Sequence, residues 1–223
     1  MSDSLRLVII SDTHGHEDFA VPPGDVLIHA GDGCRMGSLD EAEAWGRHIG
    51  SLPHAHKVVI AGNHDRCFED LPEAARACLP PEVHYLQDSG CEIAGIRLWG
   101  SPWQPWFHSW AFNLPRGPEL AAKWARIPDD TDVLITHGPP HDILDANFSG
   151  TPVGCEALVE ALARVRPRVH CFGHIHEGHG VLERQGTLYA NACICTLSYQ
   201  PTNPAILIDL PLDPSKPARA LDT

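Results

Sequence analysis

Short runs of apolar, mostly β-branched residues recur along this chain, and each run is bounded by Gly, Pro, Asp or Asn. Such runs predict β-strands, because β-branched side chains pack well on a pleated surface and the flanking residues favour turns. A chain with so many of them must be organised around β-sheets. The predicted strands are Leu7 to Ile10, Val26 to Ala30, Lys57 to Ala61, Val83 to Leu86, Ile96 to Trp99, Val133 to Thr136, Val169 to Phe172, Leu188 to Asn191 and Ala205 to Leu210.

Helical patterns lie between several of these strands. Ser38 and Glu41 form a capping-box signature, which predicts that a helix begins there and runs from Leu39 to Ile49. Alternating strands and helices predict a layered α/β fold. We expect one domain over residues 1–223, with a core of about 5–210 and a Pro-rich tail, 211–223, that is mobile or lies along the surface. Further helices are predicted at Glu69 to Cys78, Glu119 to Ala125 and Cys155 to Arg164.

Glycine-flanked polar residues follow five of the predicted strands directly. Ligand sites in open α/β sheets lie at the carboxyl ends of the strands, and glycine allows the tight turns needed there. If these strands are parallel neighbours, the loops after them converge on one edge. The polar segments are Asp12-Thr13-His14, Gly31-Asp32, Gly62-Asn63-His64-Asp65, Thr136-His137-Gly138 and Gly173-His174-Ile175-His176.

The side chains in these loops are typical metal ligands. They include two carboxylates, one amide and four imidazoles, which are too many for one tetrahedral zinc ion. Two ions of borderline hardness suit this mixture, so we expect two divalent metal ions, with Mn²⁺, Fe²⁺/³⁺ or Zn²⁺ favoured over Ca²⁺ or Mg²⁺. The predicted ligands are Asp12, His14, Asp32, Asn63, His137, His174 and His176.

In this order, the motifs D-x-H, G-D, G-N-H-D, T-H-G and G-H-x-H resemble the calcineurin-like metallophosphoesterase superfamily. The resemblance extends from Asp12 to His176 and implies an α-β-β-α sandwich with a dinuclear metal site at the C-terminal ends of the strands. It implies that Asp12, His14 and His176 hold one ion. It implies that the other ion is held by Asn63, His137 and His174, with Asp32 bridging the pair.

The resemblance also implies hydrolysis of a phosphoric ester by attack of a metal-bridging hydroxide. Asn63 and His64 are adjacent, and adjacent side chains diverge. We therefore assign His64 to the phosphate, where it stabilises charge or protonates the leaving oxygen. We expect Asp65 to hydrogen-bond to His64 and orient it. A role for His64 outside direct substrate contact is the alternative.

Within the superfamily the chain is similar to the metallophosphoesterase-domain (MPPED-type) group. That group is associated with cyclic-nucleotide phosphodiesterase activity, so the resemblance implies a phosphodiesterase, with cyclic nucleotides as a candidate substrate. Trp103 and Trp106 are candidate substrate-stacking residues, with core packing as the alternative. Arg66 and His141 are further candidate substrate contacts, with a local ion pair or a turn as the alternative. The segments that carry this similarity are 100–106, 110–114, 136–140 and 173–178.

Two other functions remain open. One is a small-molecule phosphomonoesterase or a protein phosphatase. Protein Ser/Thr phosphatases of the superfamily carry G-D-x-V-D-R-G at the second motif, whereas this chain has G-D-G-C-R-M-G at 31–37, which disfavours that substrate. The other is a non-catalytic scaffold of the same fold, disfavoured because every predicted ligand is in place.

Composition restricts the possible partners and the compartment. The formal net charge of −13 disfavours long nucleic acid and anionic membranes, and bound cations would reverse the field locally for a small, nucleotide-like phosphate ester. The eight cysteines contain no C-x-x-C pair, which predicts free thiols in a reducing cytoplasm. No leader or membrane-spanning run is expected. The oligomeric state remains open.

Overall fold

Two six-stranded sheets face each other in the computed structural model, which describes residues 3–221. The strands are β1 Ser4–Ile10, β2 Val26–His29, β3 His56–Val59, β4 Val83–Tyr85, β5 Ser89–Ile93, β6 Ile96–Ser101, β7 Gln104–Pro105, β8 Asn113–Leu114, β9 Val133–Thr136, β10 Val169–Phe172, β11 Gly180–Arg184, β12 Thr187–Asn191, β13 Ile206–Pro211 and β14 Arg219–Ala220. The first sheet has the order β14-β13-β1-β2-β3-β4, the second has the order β11-β12-β10-β9-β6-β5, and β7 and β8 form a separate small ribbon.

Helices cover the outer face of each sheet. Trp45 and Phe68 belong to helices that pack on the first sheet, while Trp124 and Leu158 belong to helices that pack on the second. Alternate side chains of both sheets fill the layer between them, as the two-residue period of a strand requires. The fold is therefore the expected α-β-β-α sandwich. The helices are α1 Leu39–Ser51, α2 Arg66–Asp70, α3 Pro72–Ala77, α4 Pro118–Trp124 and α5 Glu156–Val165, and a 3₁₀ turn spans His176–Gly178.

The capping box at the start of α1 is formed as predicted, with Ser38 and Glu41 each accepting a hydrogen bond from the other's backbone. The single helix predicted from Glu69 to Cys78 is wrong, because the chain forms α2 and α3 instead. Leu71 lies between them at φ −136°, since the ring of Pro72 disfavours a helical conformation in the preceding residue. No helix within residues 3–221 has the length and apolar character to span a bilayer.

Residues 212–221 lie along the edge of the first sheet. Strand β14 pairs antiparallel with β13 through Ile208 and Asp209. Arg168 donates to the carbonyl groups of Pro211 and Lys216, which fixes the intervening turn. The sequence did not predict β14, nor did it predict β5 and β11, because these strands carry Gly, Glu and Arg in place of a continuous apolar run. All eight cysteines are free thiols, as predicted.

In both sheets, parallel strands bring the loops that follow them to the same edge of the sandwich. Strands β1, β2 and β3 are mutually parallel in the first sheet, and β6, β9 and β10 are parallel in the second. A bridge between Ser11 and Cys193 ties the end of β1 to the segment after β12, so the sheets are joined at this edge. The Ile194 amide donates to the Ser11 carbonyl at 2.8 Å. All five polar loops therefore emerge beside one another.

Candidate metal centre

Backbone conformation marks these loops as unusual. Four residues predicted to ligate metal adopt left-handed φ angles between 46° and 67°, a region that residues other than glycine rarely occupy. Conformations of this kind cost free energy and persist where the surrounding structure enforces them, which is typical of functional sites. These residues are Asp12, His14, Asp32 and His174.

Asp12, His14 and His176 form the first cluster, and their ligand atoms lie within 4.8 Å of one another. His176 Nε2 lies 3.3 Å from Asp12 Oδ1 and 3.2 Å from His14 Nε2. The Asp12 carboxylate is oriented by the Ser11 hydroxyl at 2.5 Å and the Cys193 thiol at 3.2 Å, both donating to Oδ2. This grouping is the one that the resemblance implies for the first ion.

The second cluster joins Asp32, His137 and His174, again with ligand atoms within 4.8 Å. Asn63 completes it, since its Oδ1 lies 2.9 Å from His137 Nε2. Asp32 Oδ1 lies 3.4 Å from the same nitrogen, and Asp32 Oδ2 lies 3.9 Å from His14 Nε2. Asp32 therefore stands between the clusters, where a bridging carboxylate would lie. The structure brings all seven predicted ligands together, while their division between two ions stays a prediction.

Backbone carbonyl groups decide which imidazole nitrogens face the centre. His137 donates from Nδ1 to the Ala30 carbonyl at 3.0 Å, and His176 donates from Nδ1 to the Thr196 carbonyl at 2.9 Å. In the neutral rings, Nε2 then presents a lone pair toward oxygen acceptors, including those of Asp32 and Asn63. Lone pairs facing lone pairs in a buried space need a cation between them. The donor set therefore fits divalent metal ions.

The charge balance of the metal-free side chains agrees with this conclusion. Burial alone would lower the pKa of His137, but the Asp32 carboxylate outweighs it and raises the pKa to about 9. Burial likewise opposes a raised pKa of His176, yet its hydrogen bond to Asp12 raises the pKa to about 9. In the metal-free protein, the protons on His137 and His176 therefore lie at positions where a metal cation would also be favoured. Burial lowers the pKa of His174 to about 3, which keeps that ring in its neutral, metal-binding form.

His64 lies beside this centre, with a ring nitrogen within 4.8 Å of ligand atoms of His14 and Asp32. Its Nδ1 donates to the Arg35 carbonyl at 2.6 Å. The prediction that this ring donates a hydrogen bond to Asp65 is therefore wrong, because the Arg35 carbonyl accepts from it instead. The Asp65 carboxylate turns to the backbone instead.

Asp65 holds two metal-binding loops together. Its carboxylate accepts hydrogen bonds from the amides of Asp32, Gly33 and Cys34 and from that of Gly62, at 2.7–3.3 Å. Burial and the nearby Asp32 charge nevertheless raise the pKa of Asp65 to about 6. Its contacts are those of a positioning residue for the loops of Asp32 and Asn63, while a catalytic part for it stays a prediction.

A cavity of about 490 Å³ opens over the second cluster. It is lined by Asp32, Asn63, His64, His174 and His176 and, of the predicted substrate contacts, by Trp106. Cavities of this size accommodate small organic ligands. The cavity is thus continuous with the candidate metal centre.

The other three predicted substrate contacts lie outside this cavity. Trp103 packs edge-to-face on Phe112 and donates its indole N–H to Asp88, so it is a packing residue. Arg66 donates to the Ser109 carbonyl on the surface. His141 faces Asp142 at 3.2 Å. Each of these side chains has a local partner and none of them lines the cavity, so the structure does not support their assignment as substrate contacts.

Several cavity-lining residues were not predicted from the sequence. Phe107, His108 and Arg116 belong to the Trp- and Pro-rich segment 99–116, but the rest come from loops without a recognisable motif. The tertiary fold alone brings these loops together. The unpredicted residues are Phe107, His108, Arg116, Asn147, Phe148, Leu197 and Tyr199.

Comparison with known proteins identifies the class that this fold and site define. The sequence model of the calcineurin-like phosphoesterase family matches residues 5–178, and the chain belongs to that family. Family membership supports metal-dependent hydrolysis of a phosphoric ester. Over 233 aligned residues, 46% are identical to "Metallophosphoesterase domain-containing protein 1" of Homo sapiens; the alignment covers 92% of this chain and 71% of that protein.

Solved structures show the same fold at low sequence identity. One crystal structure superposes with a TM-score of 0.70 at 16% identity, covering 98% of this chain and 99% of that chain. TT1561 of Thermus thermophilus superposes with a TM-score of 0.62 at 13% identity and the same coverage of both chains. These similarities support the architecture described above and nothing more specific.

Proposed function

We propose that this chain hydrolyses small phosphodiesters that carry a planar or apolar ester group, cyclic nucleotides among them. The observation that carries this proposal is the continuity between the metal-ligand clusters and one cavity of about 490 Å³, a volume suited to a nucleotide-sized molecule. Bound Mn²⁺, Fe or Zn²⁺ ions would activate water and neutralise phosphoryl charge at the two clusters. A reducing, cytoplasmic setting is part of the proposal and is supported by the free thiols.

The charges around the cavity favour a diester over a monoester. Arg116 is the only Lys or Arg among the described residues that line it. Its guanidinium already donates to the carbonyl groups of Val153 and Gly154 and to the Glu156 carboxylate. A monoester carries nearly two negative charges at neutral pH and a diester carries one. With no free cationic side chain there, the singly charged diester is the better match.

The rim of the cavity suits an ester group with an apolar face. Phe148 is 81% exposed and Trp106 is 66% exposed, although both are large and hydrophobic. Exposed hydrophobic groups gathered around a cavity mark a ligand site. Aromatic faces also stack well on nucleobases. The other exposed hydrophobic residues of the rim are Phe107, Leu197 and Tyr199.

The protein's own side chains would supply proton transfer, exclusion of water and positioning of the ligand loops. His64 is held by the Arg35 carbonyl and lines the cavity beside the clusters, so it is placed to donate a proton to the leaving oxygen. The apolar rim excludes water from the bound ester and strengthens these interactions. Asp65 keeps the loops of Asp32 and Asn63 in register through its hydrogen bonds to the backbone.

The test compares substrates on one Mn²⁺-loaded preparation: bis-p-nitrophenyl phosphate, p-nitrophenyl phosphate, and 2′,3′- and 3′,5′-cyclic nucleotides. We expect the diesters to be turned over with the higher kcat/KM, and Asp32→Asn to abolish turnover. A preference for p-nitrophenyl phosphate would replace this proposal with a phosphomonoesterase, including a protein phosphatase. Absence of turnover on every substrate would favour the non-catalytic scaffold.

A further inference from the structure

Tyr199 lies directly over the candidate metal centre. Its ring centroid is 4.8 Å from that of His14, 5.5 Å from that of His176 and 6.4 Å from that of His64. It lines the large cavity and is 41% exposed. Within residues 3–221, nothing forms a hydrogen bond with its phenol hydroxyl. Because the residue lines the cavity beside the candidate ligands and its hydroxyl has no partner, the hydroxyl is available to a bound molecule.

The backbone at Tyr199 is held in a strained conformation. Its φ is 57°, in the left-handed region that a bulky aromatic residue rarely adopts. A tight turn enforces it: the Tyr199 amide donates to the Thr196 carbonyl at 2.8 Å, and the Thr196 amide donates to the Gln200 carbonyl at 2.9 Å. The surrounding structure thus offsets a local cost in free energy to hold this side chain where it is.

Two hydrogen bonds fix this turn to the first cluster. The Thr196 carbonyl that accepts from Tyr199 also accepts from His176 Nδ1 at 2.9 Å. His16, two residues after His14, donates from Nε2 to the Tyr199 carbonyl at 3.1 Å. The turn that carries the phenol is therefore tied to His176 and to the loop that carries His14. Such a connection is unnecessary for a residue that only covers the surface.

We propose that Tyr199 is a substrate-contacting residue whose hydroxyl donates a hydrogen bond to a non-bridging oxygen of the bound phosphate. This inference rests on the proposed phosphoesterase function and adds a residue to it. The phenol keeps its proton throughout, so it acts as a fixed, uncharged donor. A preorganised donor of this kind is worth most when negative charge grows on the phosphoryl oxygens during attack.

The test replaces only the hydroxyl, in Tyr199→Phe of the full chain loaded with Mn²⁺. We expect kcat on the preferred diester to fall by roughly a hundredfold to a thousandfold, as for loss of one oxyanion donor. The affinity for inorganic phosphate, measured by isothermal titration calorimetry, should fall by roughly fivefold. Bound metal and thermal stability should be unchanged. Tyr189→Phe, which removes a hydroxyl bonded to Thr187 on the helix-covered face of the second sheet, is the control and should keep wild-type turnover and phosphate affinity.

A second variant separates function from structure. Tyr199→Asn keeps a residue that tolerates positive φ but removes the ring and its hydroxyl, so stability should hold while turnover and phosphate affinity fall. Equal phosphate affinity and equal turnover in wild type and Tyr199→Phe would overturn the proposal. So would loss of metal from Tyr199→Phe, since that result would make the role structural. A wild type that binds phosphate through Tyr199 yet hydrolyses no ester would refute the proposed function and leave this contact standing.

Discussion

His64 stacks on the indole ring of Trp110, with ring centroids 3.9 Å apart and planes inclined by 25°. The stacking and the hydrogen bond from His64 Nδ1 to the Arg35 carbonyl together fix the imidazole. Its orientation is thus determined by an aromatic side chain and a backbone carbonyl, without a carboxylate partner.

His64→Ala should separate catalysis from metal binding. If His64 donates a proton to the leaving oxygen, its removal should lower kcat by roughly 10²- to 10⁴-fold. The metal content, measured by elemental analysis after reloading with Mn²⁺, should stay at the wild-type value because the other ligands remain. A parallel loss of metal would show that His64 is itself a ligand.

Trp110→Leu should act through His64. Without the stacking partner the imidazole is free to rotate, and we expect kcat to fall on the order of tenfold while KM changes little. Trp106→Leu is the matched comparison, because Trp106 lines the cavity without stacking on His64. That variant should raise KM for aromatic diesters instead. Identical effects of the two variants on kcat and KM would contradict this division of roles.

Asp65→Asn should damage stability more than His64→Ala does. The carboxylate accepts from four backbone amides, and an asparagine would turn an N–H group toward N–H donors. The loss in the free energy of unfolding should be about 2–4 kcal/mol, and metal affinity should fall with it. Urea denaturation and metal titration measure the two quantities. A variant as stable as wild type would show that the loops do not depend on Asp65.

The sequence predicted which side chains meet at the common edge of the sheets, because each belongs to a loop that follows a strand and strand ends are the most predictable points in an α/β chain. Asp12, Asp32 and His137 all follow short apolar runs that the structure confirms as strands. Parallel pairing then places them at one edge. The role of Asp65 was less predictable, because its partners are backbone amides, whose directions depend on loop conformation.

Most of the residues that line the cavity could not be predicted from the sequence. Trp103 and Trp106 are three residues apart in one aromatic segment, yet one packs on Phe112 and the other lines the cavity. Phe148 and Tyr199 belong to loops without any motif and approach the site through contacts distant in sequence. Residue type alone does not decide between these environments, since the packing of surrounding elements determines which ring faces solvent.

Metal binding should stabilise the folded chain measurably. Mn²⁺ at a hundredfold excess over its dissociation constant should add about 2.7 kcal/mol, or roughly 5–10 °C in Tm. Asp32→Asn should lose most of this shift because Asp32 stands between the clusters. Asp209→Asn, which removes an exposed partner of Arg6, is the control and should keep it. Calorimetry with and without chelator measures the shift in Tm. An equal shift in Asp32→Asn and Asp209→Asn would exclude this site as the origin of the stabilisation.

His170 should make stability depend on pH. Burial lowers the pKa of His170 to about 3, and its Nδ1 has no partner among the described residues. The unfolded chain takes up the proton near pH 6.5 and the folded chain resists it, so stability falls as pH drops from about 6.5 toward 3. The free energy of unfolding should therefore be lower at pH 5 than at pH 7. His170→Gln, which can still donate to Thr136, should reduce that difference by about 2 kcal/mol. Parallel pH profiles of the two proteins would contradict this origin.

The candidate ligands are divided between the two sheets, with Asp12, Asp32 and Asn63 following strands of the first and His137 and His174 following strands of the second. Neither half of the chain holds a complete set. A chain that has emerged only as far as the first sheet would lack the ligands of the second. We therefore expect metal to load only after the two sheets have met, in competition with any chelator present at that moment.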